Sequence, residues 1–295
     1  MKESELDYLA ALASEIAGGV IVCTHNRAID AFFANIDGDS LANICDGSED
    51  KDRESLYVAI NVCLKVGRLP SKSMLSALTD NVKKHYKDEF YQDEYLRSVK
   101  IEDVKSGDLT LTYATYEKDE IFQYDMPIIE PPALKMGYFD QEVRFPAIYE
   151  GNMPWVSVCP SEINSMRKSL DEVCGRVLVL GLGLGYYPFI ASLKDNVSEI
   201  TIVEINDGII RLFTQFILPQ FSNKHKIRIV HADAVKYMAD VRNGEYDYCF
   251  ADIWEGAEDG ADRYLSIKKH EDRLGATKFS YWIEDEIKRY LSYEI

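Results

Sequence analysis

The sequence predicts an α/β protein built around an open parallel sheet, on three observations. Val177 to Leu180 is an unbroken apolar run rich in branched side chains, as in a strand buried on both faces. Gly181, Gly183 and Gly185 follow at alternate positions. Ile200 to Val203 is a second buried run, closed by Glu204 about 20 residues beyond the glycine turn.

Each element has a physical reason. Glycine permits a sharp turn and lets a ligand approach the backbone without a Cβ in the way. Tyr186 to Leu193 is apolar enough to be a helix packed on the sheet, and Pro188 is tolerable in its first turn. Ligands of open α/β sheets bind outside the carboxyl ends of the strands, where an acid such as Glu204 can hold both ribose hydroxyls. A dinucleotide fingerprint, G-x-G-x-x-G, needs glycine at 186, which is Tyr186; the spacing is G-x-G-x-G. Lys226 to Val230 reads as a third strand, followed by Asp233, an N-cap residue for a helix over Ala234 to Val241. Tyr246 to Ala251 reads as a fourth strand, ending in Asp252-Ile253-Trp254-Glu255. Cys249 falls inside that strand and reads as core.

Over about residues 152–255 these motifs resemble class I S-adenosylmethionine (SAM)-dependent methyltransferases. Within that superfamily, Val203-Glu204-Ile205, Asp233-Ala234 and Tyr246-Asp247 with Asp252 are most similar to the spermidine synthase-like branch. The resemblance implies a Rossmann-like SAM-binding sheet. It places Gly181, Leu182, Gly183 and Gly185 on the methionine part of the cofactor, Glu204 on the ribose, and Asp233 with Ala234 on the adenine, with Ile205 as a further cofactor contact. It puts Asp252 beside the transferred group, as a cofactor contact and as the catalytic residue that orients or deprotonates the acceptor. The implied cofactor is SAM, with decarboxylated SAM as the alternative. Four positions depart from these families: Leu184 stands where spermidine synthases carry an aspartate, Glu255-Gly256 where they carry Asp-Pro, and Val179 where many methyltransferases carry an acid.

Trp155 and Glu162 lie just before the motif, in the segment that covers the methionine end in the resembling families. With Trp254 and Glu255 they are the candidate substrate contacts. Plainer roles are open to both: a core anchor for Trp155, and for Glu162 a first-turn acid in a helix capped by Ser161, worth about 0.3–1 kcal/mol. No [DN]-P-P-[YFW] or Pro-Cys pair follows strand four, so amide or adenine N-methylation and cytosine-C5 chemistry are disfavoured. Asp252, Glu255, Asp259 and Asp262 read as a solvated acidic loop, and no metal is expected. Arg263 to Leu274 reads as a helix ended by Gly275. Phe279, Trp282, Ile283, Ile287, Tyr290 and Leu291 fall at helical spacing. No fifth strand is evident: either the sheet is truncated after strand four, or strands from elsewhere complete it.

The 295 residues are enough for a large core and two domains. Residues 1–97 read as a helical N-terminal domain. Its stripes are Leu6 to Ala17, Leu56 to Leu64, and Ser73 through Val82 to His85, with a polar connector at 35–52. This domain suits packing, dimerisation (a homodimer) or a substrate lid. Residues 98–151 read as a β-rich connecting segment. In it Asp108 to Tyr116 and Ile121 to Tyr124 form one expected pair, and Tyr138 to Gln141 with Arg144 to Tyr149 a second. Residues 152–295 form the SAM-binding domain. The net charge of −17 disfavours nucleic acid as a partner. No apolar run approaches a membrane span, and no signal peptide is seen. The six scattered cysteines suit free thiols in a reducing cytoplasm.

The sequence thus points to a cytoplasmic, SAM-dependent methyltransferase acting on a small-molecule acceptor. The alternatives are a spermidine synthase-like aminopropyltransferase and a non-catalytic adenosine-ligand binder. A hydride-transferring NAD enzyme ranks last because of Tyr186.

Overall fold

A computed structural model describes residues 82–293, apart from 119, 126, 127, 130, 131, 134 and 135. The helical stripes expected in residues 1–81 lie outside the described residues. In chain order the elements begin with β1 (Val82–His85), α1 (Lys87–Phe90), α2 (Glu94–Ser98), β2 (Val104–Ser106), β3 (Leu109–Tyr116) and β4 (Ile121–Gln123). The short strands β5 (Ile128–Ile129) and β6 (Pro132–Ala133) come next, then β7 (Met136–Phe139), β8 (Val143–Glu150), β9 (Met153–Ser157), α3 (Pro160–Glu172) and β10 (Gly175–Leu180). There follow α4 (Tyr186–Ser192), β11 (Val197–Glu204), α5 (Asp207–Leu212), β12 (Ile227–His231), α6 (Ala234–Asp240) and β13 (Tyr248–Ala251). The last elements are α7 (Ala257–Lys268), β14 (Lys278–Tyr281) and α8 (Glu284–Tyr293).

The described residues divide into two compact units, 82–90 with Thr115–Arg144, and Tyr91–Ala114 with 145–293. In the first, β1 pairs in parallel with β7, and β4 pairs antiparallel with β7's other edge. The helical stripe expected to run through Val82 and His85 is therefore a strand there. Pairing with β7 overrides the apolar spacing, and Gly137 leaves room for the His85 ring. Two expected hairpins also re-pair. β4 joins β7 rather than β3, and β8 joins β9 rather than β7.

The second unit carries the predicted parallel sheet. Its order is β12-β11-β10-β13-β14, with every pair parallel. From β10 the chain steps outward to β11 and β12, then returns across β10 to β13 and β14. The reversal sets the topological switch point between β10 and β13. Val177, Leu178, Val179 and Leu180 are buried, as the sequence predicts for a central strand. On one side a core cluster joins Leu178, Leu180 and Val203 to Met238, Tyr264, Ile267 and Ile287.

Among the described residues the sheet does not end at strand four; it gains one further parallel strand. β14 is a fifth parallel strand, in register with β13 from Tyr248↔Lys278 to Ala251↔Tyr281. Its sequence, KFSY, is short and lacks a branched apolar run, so pairing with β13 rather than local propensity makes it a strand. The terminal helix accordingly begins at Glu284, and Phe279 and Trp282 precede it. Helix α7 starts at Ala257, earlier than Arg263, because Asp259 reaches back to accept from the Gly256 N–H at 2.8 Å. Helix α3 starts at Pro160, with Cys159 rather than Ser161 as its N-cap; proline's fixed φ sets the first turn.

Among the described residues no helix is long and apolar enough to cross a membrane.

Candidate functional site

The site is built at the carboxyl ends of β10, β11 and β13. The chain leaves β10 through Gly181, at φ +97, with its N–H bonded to the Val203 carbonyl at 2.9 Å. A Cβ at 181 would collide with the Asp252 carbonyl oxygen, so only glycine lets the β10 and β13 exits pass this closely. The turn closes with Gly185 N–H donating to the Leu182 carbonyl at 2.9 Å. Gly185, at φ +74, is the N-cap of α4, and a Cβ there would strike the Phe213 ring. Val156 of β9 covers Gly183, 3.2 Å from where a Cβ would stand.

Glu204 ends β11 and is only 7 % exposed. Its Oε2 accepts from the Leu182 N–H at 3.0 Å, and its Oε1 from the Asn206 N–H at 2.7 Å. Each oxygen keeps a second lone pair. Ile205 follows and is 63 % exposed, an apolar side chain left open beside a buried carboxylate. The His231 Nε2–H donates to its carbonyl at 3.0 Å. Asp233 caps α6, its Oδ1 accepting from Val235 and Lys236 N–H at 2.9 and 3.2 Å. Its Oδ2 is not used by the cap. Ala234 is buried as the first residue of α6.

Asp252 leaves β13 with its N–H on the Leu180 carbonyl at 2.8 Å, facing the glycine turn across the switch point. The residue is half-buried, and no side-chain hydrogen bond holds its carboxyl among the described residues. Burial pushes it well above the usual carboxylate range, and the nearby charges of Glu162 and Glu204 push it further. Glu162, in the first turn of α3, is pushed up to about 7 by burial. Helix α3 is itself fixed by Trp282, whose indole N–H donates to Ser165 Oγ at 2.9 Å.

The remaining expectations divide. Trp155 is the extra residue on β9 where its register with β8 shifts between Ile148 and Tyr149. It is half-buried, next to the Val156 that covers the turn. Trp254 goes into the core. It is 6 % exposed and packs against Gly260, where a Cβ would approach its ring to 2.8 Å. Its bulk fills the space between sheet and α7, which is the physical reason it is not on the open side. Glu255 is exposed, its N–H held by Asp259 at 3.2 Å. Asp259 with Arg263 pins this loop, since Arg263 also donates to the Ile253 carbonyl at 2.9 Å. No cluster of three metal-binding side chains occurs among the described residues. A shallow depression bordered by Asp240, Arg242 and Glu245 precedes β13, at the opposite end of the strands.

Sequence reading missed the supports: Asn206, which caps α5 through Gly208 N–H at 2.9 Å, and Asp93 with Tyr95, which reach the turn from far upstream. Asn206-Asp207-Gly208 carries a legible cap signal. The 93–95 contact is long-range and carries none.

No family model and no curated protein matches the chain. Among solved structures, it is similar to spermidine synthase from Thermotoga maritima, at 16 % identity and TM-score 0.35, over 51 % of this chain and 60 % of that one. A spermidine synthase in complex with the transition-state analogue AdoDATO gives 16 % and 0.34, over 47 % and 52 %. A candidate O-methyltransferase from Klebsiella pneumoniae gives 15 % and 0.26, over 32 % and 42 %. The chain thus spans less than two thirds of the length of each.

Proposed function

We propose that this chain is a SAM-dependent methyltransferase acting on a small-molecule acceptor. One observation carries the reading: the buried Glu204 carboxylate is tied to the Leu182 amide of the glycine turn, at a switch point where Asp252 is the facing acid. The residues fit an adenosyl ligand. Glu204 has free lone pairs for ribose hydroxyls, Ile205 offers an apolar face to a purine, and Asp233 Oδ2 is open to an adenine amino group. When bound, SAM supplies a methyl group on a sulfonium sulfur that is already a good leaving group.

The chain's own task is then chiefly alignment. Asp252 takes the acceptor's proton. It could do so with the ligand's sulfonium nearby, because a positive charge there would favour its ionised form against the burial that holds the proton on.

A second reading is favoured by a specific observation. Asp252 and Glu162 have no cationic partner among the described residues, and a cationic amine acceptor supplies one. That reading is aminopropyl transfer from decarboxylated SAM, against which Leu184 stands where an aspartate is expected.

Parallel calorimetric titrations with SAM, S-adenosylhomocysteine, methylthioadenosine and NAD test these readings. Binding of the first two supports methyl transfer, and preference for methylthioadenosine supports aminopropyl transfer. Binding of NAD alone, or of nothing, rejects both.

A further inference from the structure

The glycine turn is gripped from outside the sheet. Tyr95, on α2, is fully buried, and its hydroxyl donates to the Leu184 carbonyl at 2.6 Å. The Leu184–Gly185 peptide is therefore held at both ends, its carbonyl by Tyr95 and its N–H by the Leu182 carbonyl. The other limb of the turn is held by Glu204 through Leu182 N–H. Asp93 braces this arrangement. Its Oδ1 caps α2 through Tyr95 and Leu96 N–H at 2.9 and 3.1 Å, and its Oδ2 accepts from Tyr186 O–H at 2.9 Å. Tyr186 occupies the position where a dinucleotide fold needs glycine. Here its ring turns to Tyr95, centroids 5.6 Å apart, and its hydroxyl hooks α4 to α2.

We infer that Tyr95 is a positioning residue for ligand binding, with Asp93 and Tyr186 as its brace: it presets the 182–185 turn for the sulfur-bearing end of an adenosyl ligand. This rests on the functional reading above. The turn's geometry is otherwise set by three left-handed glycines, the most permissive residues in the chain, so an external clamp is what limits its alternatives. The adenosine half hangs on Glu204, Ile205 and Asp233, which the clamp does not touch.

The test compares wild type with Tyr95→Phe, which keeps the ring packing and removes only the hydroxyl. Calorimetry with S-adenosylhomocysteine and with adenosine measures affinity. Amide hydrogen exchange over 181–186 in the unliganded protein measures the turn itself. Tyr95→Phe is expected to weaken S-adenosylhomocysteine about fivefold while leaving adenosine within roughly twofold, and to speed exchange at Gly185. Tyr186→Phe, which cuts the brace instead, should show the same pattern with a smaller loss and serves if Tyr95→Phe does not fold. Equal losses for both ligands, or unchanged exchange, overturn the inference. Wild type that binds neither ligand sinks the functional reading, and the exchange measurement then decides on the clamp alone.

Discussion

The two halves of the site handle their carboxylates in opposite ways. On the proposed adenosine side, Glu204 and Asp233 each accept two backbone N–H groups and are locked into the fold. On the proposed transfer side, Glu162 and Asp252 have no side-chain hydrogen bond among the described residues, and burial raises both. The first pair is set by folding before any ligand arrives. The second is left electrostatically unrelieved, which is the state a cationic ligand would correct.

The hinge between the halves is Gly181, and its replacement is the most damaging change we expect. Gly181→Ala adds a Cβ against the Asp252 backbone at a left-handed φ, and should destabilise the protein by about 3 kcal/mol or more. Gly244→Ala is the control. It has a similar φ of +79 but open space around it, so only the conformational cost of about 1–2 kcal/mol applies. Urea unfolding of both measures the difference, and equal losses would show that the close approach to Asp252 is not what demands glycine.

Next comes the locked half. Glu204→Gln turns an acceptor into a donor toward either Leu182 or Asn206 N–H, a loss of about 2–3 kcal/mol. Adenosine affinity should fall at least tenfold in the same variant. Retained affinity in calorimetry would remove Glu204 from the ligand site.

The unlocked half should behave differently. Glu162 is held near 7 when folded and about 4.5 when unfolded, so the folded chain binds more protons between those values. Stability conferred by its neutral form is fully present below about pH 4.5 and is lost as pH rises through 7. Glu162→Gln should therefore be more stable than wild type at pH 8, by about 1–2 kcal/mol for a half-buried group, and no more stable at pH 4.5. Thermal melts across that range would show it, and a pH-independent difference would mean that the carboxyl is not strained.

The same contrast explains what could be read without a structure. β10, β11 and the Gly181–Glu204 unit were legible because buried parallel strands are continuous apolar runs and glycine punctuates them. β14 was not, since four mixed residues become a strand only beside β13. The carboxylates at strand ends could be placed by topology. The sequence offers no sign that Tyr95, 89 residues before Leu184, grips the turn, or that Trp254 turns inward against Gly260.

The smallest effect separates two roles of one side chain. Asp233 caps α6 with Oδ1 alone, so Asp233→Ala removes the cap and any ligand contact together, while Asp233→Ser restores an acceptor for the cap without the second oxygen. Alanine should cost about 1 kcal/mol of stability, and serine should recover most of it. If Oδ2 also reads an adenine amino group, both variants lose adenosine affinity, the serine variant at near-normal stability. If affinity returns together with stability in the serine variant, Asp233 serves the helix alone, and the adenine face of the site is left to Ile205 and the backbone around Ala234.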